Sequence, residues 1–197
     1  MQLRQTILEA SVRELELHSE AGFRVTRVAE NAGCVVSVLY HYFGNREGLI
    51  DAALIEIMRR ESVELRESYE VIISNLVHVD NFGEAFEQYI RFAHSRKRAP
   101  RRALRIQILT AVQTRPRVRH AWEEYSAGNQ ATAEKLVSTM TQLGLIDDSF
   151  STEVLAYFLR ITDLGRALDE SVEKPAVDFE VWVQFMRRFA EEFIAKN

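Results

Sequence analysis

Ser37, Tyr40, His41 and Tyr42 bring a hydroxyl, two phenols and an imidazole into six consecutive residues. Read as a helix at about 100° per residue, Val35, Leu39 and Phe43 point one way, into a core. Ser37 and His41 point the other way, flanked by Val38 and Tyr40. A hydroxyl and an imidazole facing solvent, with a phenol alongside, suit hydrogen bonds to phosphate oxygens and to base edges in a major groove. Catalysis finds no such support. The sequence has no G-x-S-x-G, no P-loop and no G-x-G-x-x-G, so acyl transfer, nucleotide hydrolysis and dinucleotide binding lack their constellations. The five histidines (18, 41, 78, 94 and 120) show neither H-x-x-x-H nor H-E-x-x-H spacing. The single cysteine, Cys34, excludes an intramolecular disulfide and any multi-cysteine zinc site. A thiol at a helix start is acidified, but Cys34 reads as a small apolar side chain against a core. No catalytic residue, metal or cofactor is expected.

The elements that must position this group are helical. Apolar residues recur at spacings of three and four with polar residues between. Ile7, Leu8, Val12, Leu15 and Leu17 predict a first helix over about 3–18. Val25, Val28 and Ala29 predict a short second one, ended at Ala32-Gly33, where Gly33 suits a left-handed turn. The third carries Leu39 and Phe43 and breaks at Gly44-Asn45. A longer helix follows over about 46–69. Further helices are predicted over 82–94, 99–113, 114–140, 151–171 and 179–194. Pro116 stands in a tolerated first-turn position, Ser151-Thr152-Glu153 opens the next-to-last helix, and Asp178 stands where a cap belongs. The expectation is an all-α fold of about nine helices.

Composition agrees. The chain has 197 residues, 47% of them hydrophobic and 27% charged, with only 8 Gly and 3 Pro. Such a chain is neither disordered nor turn-rich β. No apolar run approaches the roughly 18 residues of a membrane span, and the N-terminus carries no signal-peptide core. A cytoplasmic protein without membrane partners is expected. Charge is uneven. Between Gln88 and Trp122 lie ten basic residues and no acidic one, leaving 15 basic against 29 acidic residues elsewhere. Residues 1–48 hold five Arg and six Glu. The basic stretch marks an anionic partner, an acidic surface nearby in the same protein or a second copy, or simply a solvated helix face with arginine-rich loops, and is not taken as a site.

Two short helices joined by a Gly-containing turn behind a supporting helix describe a helix-turn-helix. The run Val28-Ala29-Glu30-Asn31-Ala32-Gly33-Cys34, followed by Leu39-Tyr40-His41-Tyr42-Phe43-Gly44-Asn45-Arg46-Glu47-Gly48-Leu49, resembles the TetR/AcrR family of bacterial transcriptional regulators over about residues 4–53. The resemblance implies a DNA-binding head at 1–47 and a ligand-binding, dimerising body at 48–197, with the helix from about 46 to 69 joining them. It implies DNA contacts at Val36, Ser37, Val38, Tyr40, His41 and Tyr42, with Thr26 and Arg27 on the second helix and Arg46 at the start of the fourth. The sequence departs from the family pattern at four positions. Arg24 and Val35 replace the polar caps of the second and third helices, and Ser19 and Ser37 stand where glycine is frequent.

In the body, Tyr89, Phe92, Ile106, Leu109, Trp122, Tyr125, Leu136 and Met140 form apolar stripes. The resemblance makes them the walls of an effector pocket, with Asn129, Gln107 and Thr132 as its polar groups and a hydrophobic or anionic small molecule as its ligand. Towards the end of the chain, Tyr157, Phe158, Ile161 and Gly165 line one wide apolar face. Trp182, Phe185, Met186 and Phe189 line another. Two such faces fit a symmetric four-helix interface between two copies. The function the resemblance implies is a ligand-responsive regulator, a repressor released from a near-palindromic operator by a small molecule. The alternative is a helical binding module whose head no longer holds an operator.

Overall fold

The three-and-four spacing does become helix. The computed structural model describes residues 2–76, 81–170, 172–174 and 176–195. Among these residues the α-helices are α1 (Gln2–Gly22), α2 (Val25–Asn31), α3 (Val36–Phe43), α4 (Arg46–Leu76), α5 (Phe82–Ala93), α6 (Ala99–Thr114), α7 (Pro116–Gln142), α8 (Thr152–Asp169) and α9 (Phe179–Phe189). A short 3₁₀ turn, Arg96–Arg98, precedes α6, and a π turn, Ala190–Ile194, follows α9. One isolated antiparallel bridge, Ile146 to Ala195, is the only β pairing among the described residues. The expected helix end at Ser171, the helix breaker Pro175 and the side chain of His78 lie outside the described residues.

Local chemistry explains the boundaries. Asn81, Ser151 and Asp178 cap α5, α8 and α9 by accepting N–H bonds from Glu84, Val154, and Glu180 with Val181. Gly33 ends the α2 turn at φ 66°, where a residue without Cβ meets no steric penalty. Ser19 is different: it holds φ 53° and ψ 178° inside α1 and kinks the helix there. This is a region that essentially only glycine occupies freely. The long α4 runs seven residues beyond the expected Tyr69. Its apolar rhythm fades in the polar segment after Met58 and returns at Tyr69, Ile72 and Ile73, which join a core.

The chain divides into two compact units. The first comprises Met1–Val63 and Leu104–Ser126. Its core joins Ile7, Val12 and Leu15 of α1 to Val28, Leu39, Leu49, Ile50 and Leu54, and to Ile108 and Val118 of α6 and α7. Each fully buried Leu, Ile or Val stabilises the unit by about 1.5–3 kcal/mol relative to exposure. Cys34 is half-buried against this core with Val36, Val38 and Phe43. The second unit comprises Glu64–Ala103 and Ala127–Asn197. Its core joins Phe82, Phe86 and Ile90 of α5 to Leu136 and Met140 of α7, Leu159 of α8, and Val183 and Met186 of α9. Beside that core, Arg102 is only 2% exposed. It forms a two-point pair with Glu170 at 2.7 Å and donates to the carbonyls of Ala93, His94 and Ser95. The carbonyls of Ala93 and His94 lie at the end of α5, where helix carbonyls lack intrahelical partners; that of Ser95 also accepts the Arg98 N–H at 3.0 Å.

Candidate nucleic-acid interface

Leu39 seals α3 onto the first unit's core at 0% exposure, and this anchor decides what the helix presents outward. Ser37, Tyr40, His41 and Tyr42 are exposed, with Tyr40 at 37% and Tyr42 at 41%. His41 meets the Tyr42 ring edge-on at 5.3 Å. Val36 and Val38 are half-buried against the core. Val35 corrects the expectation that it points inward with Leu39 and Phe43: it is 64% exposed. It precedes the helix in extended geometry, φ −99° and ψ 155°, so the 100° count does not reach it. Neither Val35 nor Arg24 makes a side-chain cap bond.

The start of α2 is fixed from α1 instead. Glu14 is buried, and its Oε1 accepts the Arg24 N–H at 3.0 Å. Arg27 donates through Nε to both Glu14 oxygens at 2.9 and 3.1 Å, and through Nη2 to Glu14 and to the Gly22 carbonyl. Burial pushes the Glu14 carboxyl up, but Arg27 and the Arg24 N–H outweigh it and hold it below the ordinary range. Arg46 is likewise engaged: it bonds Glu47 at 2.8 Å and the Glu20 carbonyl at 2.9 Å, and lies over the Phe23 ring. Thr26 is exposed beside Arg24. Both arginines expected at DNA are therefore engaged by partners within the unit. No sequence signal announces the Glu14 and Glu20 contacts, which lie 13 and 26 residues away, although Glu47 adjoins Arg46.

A second cluster was not foreseen. Arg115, between α6 and α7, bonds Asp51 at 2.8 Å and Glu20 at 2.5 Å, and also bonds Glu47. It ties the end of α1 and the start of α4 to the α6–α7 turn within the first unit. The Arg115 bond holds the Glu47 carboxyl below its ordinary value. Much of the basic stretch is spent in this way. Arg91 pairs with Glu87 and Glu180, Arg98 and Arg101 with Glu64, Arg102 with Glu170, and Arg105 with Glu61. The acidic surface that balances the basic stretch belongs to the chain itself.

The expected pocket residues fall in both units. In the first, Trp122 and Tyr125 stack at 5.2 Å, Ile106 and Leu109 are half-buried on α6, and Gln107 Oε1 is buried without a hydrogen-bond partner among the described residues. In the second, Asn129 is buried, Thr132 donates to the Gly128 carbonyl, and Phe92 lies exposed under Arg98. Tyr89 lines a void of about 20 Å³ with Ile72, Ala85, Phe86, Leu136, Met140 and Leu159. Its ring stacks on Tyr69 at 6.3 Å. No charged side chain lines this void.

Of the apolar-face residues, Tyr157, Ile161, Gly165 and Phe185 are exposed, and Phe158 and Phe189 are half-buried. Met186 is sealed in the second core at 1% exposure. Trp182 donates to His94 Nδ1 at 3.1 Å and opens an aromatic ladder through Phe185 and Phe189 to Phe193. His94 is itself buried, and desolvation depresses its pKa to about 4 against the opposing pull of Asp163. Among the described residues there is no group of three metal-ligating side chains, and no helix is long and apolar enough to cross a membrane.

Residues 7–53 match the model of the bacterial regulatory proteins of the tetR family. No curated protein sequence matches the chain. Solved structures are similar over its whole length. A Saccharomonospora viridis protein crystallised with choline is 16% identical, with a TM-score of 0.75 and coverage of 100% of this chain and 99% of that one. A TetR transcription regulator from Haloarcula marismortui is 12% identical, with a TM-score of 0.72 and 98% of each chain covered. The fatty acid degradation regulator FadR of Bacillus halodurans is 15% identical, with a TM-score of 0.64 and coverage of 96% and 98%. Residues 7–53 thus carry the N-terminal DNA-binding domain of the tetR family of bacterial regulatory proteins, and the chain as a whole has the fold of the solved structures it resembles.

Proposed function

We propose that the protein is a cytoplasmic, homodimeric repressor that holds a near-palindromic operator through α3 and releases it when a small molecule binds the second unit. The observation that carries this reading is the outward face of α3, where Ser37, Tyr40, His41 and Tyr42 are all exposed above the sealed Leu39. These side chains supply donors and acceptors to base edges, with Thr26 beside them and Val36 and Val38 as apolar neighbours. A dimer places two such helices in successive major grooves, with half-sites about one helical turn apart. Its interface is the exposed apolar side of α8 and α9, where Tyr157, Val181 and Phe185 are 57–59% exposed. Apolar faces of this kind mark association surfaces.

The Tyr89 void, at about 20 Å³, must widen to admit an effector, and its uncharged lining then favours an apolar ligand over an anionic one. Similar structures include one in complex with choline and one of a fatty acid degradation regulator. An effector must bind the released state more tightly than the DNA-bound state, and DNA must weaken the effector by the same factor. The engagement of Arg27 and Arg46 inside the first unit favours a second reading, a binding module with a silent head. Selection of bound fragments from sheared genomic DNA at moderate salt decides between them, with Tyr40→Ala/His41→Ala protein alongside. Enrichment of a short inverted repeat, lost in the variant, is expected. No enrichment over the variant overturns the repressor reading.

A further inference from the structure

Of the five arginines in residues 1–48, three have internal engagements. Arg27 is consumed by Glu14, Arg46 by Glu47 and the Glu20 carbonyl, and Arg4 lies over the Phe43 ring at 5.2 Å. Arg13 and Arg24 remain, both exposed, with no side-chain hydrogen bond, ion pair or ring contact among the described residues. Their settings differ. Arg13 stands in the middle of α1 within helical reach of Glu9 and Glu16. Arg24 stands at the entry to α2, two residues before the exposed Thr26. Its main chain is anchored by the bond from its N–H to Glu14, and Arg27 braces that same carboxylate. A free guanidinium thus projects from a fixed Cα. The first helix of a docked helix-turn-helix crosses the sugar-phosphate backbone, and α2 is that helix, with Arg24 at its entry.

We propose that Arg24 is the head's phosphate-contacting cation, taking the role that Arg27 and Arg46 give up to their internal partners. The arginine that costs α2 a polar cap supplies in exchange a fork of donors for a phosphate oxygen pair. This assignment rests on the DNA-binding reading above.

The test is fluorescence anisotropy of the full-length protein on a labelled mixed-sequence duplex, with KCl varied from 50 to 200 mM. Each phosphate contact contributes about 0.9 to the slope of log affinity against log salt, so a fourfold rise in salt weakens binding about 3.5-fold per contact. Arg24→Gln is expected to lower the slope by about 0.9 for each head engaged, while Arg24→Lys keeps it and Arg13→Gln leaves it unchanged. Arg24→Ser separates contact from fold, because serine restores the α2 cap: its melting temperature should hold or rise while its slope falls as in Arg24→Gln. An unchanged slope in Arg24→Gln overturns the assignment, as does an equal loss in Arg13→Gln. If the wild-type protein binds no duplex at 50 mM KCl, the DNA-binding reading falls with it.

Discussion

Replacing Arg115 by glutamine removes the cation from three carboxylates at once, and the cost can be worked from their exposure. The Arg115 side chain is 14% exposed and that of Asp51 13%, so their 2.8 Å bond lies largely out of water. A charge-assisted bond of that kind contributes about 1.5–3 kcal/mol. Glu20 and Glu47 are 39% and 53% exposed, and solvent-screened pairs of that sort contribute about 0.2–1 kcal/mol each. The sum is about 3 kcal/mol, which for a chain of this size lowers the melting temperature by roughly 6–12 °C. Thermal melts followed by circular dichroism at pH 7 and low salt provide the measurement. Adding Asp51→Asn to Arg115→Gln should recover part of the loss, because it removes the most buried orphaned carboxylate. Acid should narrow the gap as well. The Glu47 pKa is depressed by Arg115, so this stabilisation is complete above the unfolded value of 4.5 and disappears as the pH falls through the lower folded value. An Arg115→Gln protein that melts within about 1 °C of wild type would refute the reasoning.

Four further outcomes are expected. Ser19→Gly should relieve the positive-φ strain in α1 and stabilise the first unit by about 1 kcal/mol, read from urea midpoints; a destabilised variant would mean Ser19 is held comfortably. Val35→Ser gives α3 the cap it lacks at an exposed position and should add about 1 kcal/mol; no gain would show that the uncapped N–H groups are well hydrated. His94 has a folded pKa of about 4 against 6.5 unfolded, so its contribution is full above pH 6.5 and is lost as the pH falls through 4. The pH dependence of urea midpoints between 4 and 6.5 should therefore flatten in His94→Gln by up to about 3 kcal/mol, and an unaltered slope would sink that account. Phe185→Glu puts a charge on the exposed face of α9 and should halve the mass seen by light scattering; a persistent dimer would move the interface elsewhere.

The helices were legible because their signals are local. Spacing located each of them, Ser151 and Asp178 marked two starts, and Gly33 and Gly44 marked two turns. The exposure of Ser37, Tyr40 and His41 on α3 followed from 100° steps; Val38 is half-buried against the core, and Val35, one residue outside the helix, is exposed rather than inward. What the sequence hid was pairing at a distance. Nothing near Arg27 indicates that Glu14 will claim it, and the partners of Arg115 lie 64 to 95 residues away. The ten-residue basic stretch therefore left an anionic partner and an internal acidic surface both open, whereas most of its guanidinium groups have carboxylates in the fold. Ser19 was the reverse case: a departure from the family pattern that the backbone keeps in the glycine conformation.

Arg102 grips the turn after α5 through the carbonyls of Ala93, His94 and Ser95 and through Glu170, and so reads main chain rather than side chains. Responsibility for the turn's shape is thereby transferred to a position outside it. Under mutational drift, positions 93 and 95 can change identity without altering what the guanidinium recognises. Position 102 has no substitute, because a lysine offers a point charge where a planar fork with several donors is in use. The connection is permissive in its own letters and strict in one letter seven residues after Ser95, and its tolerance to substitution cannot be inferred from its exposure.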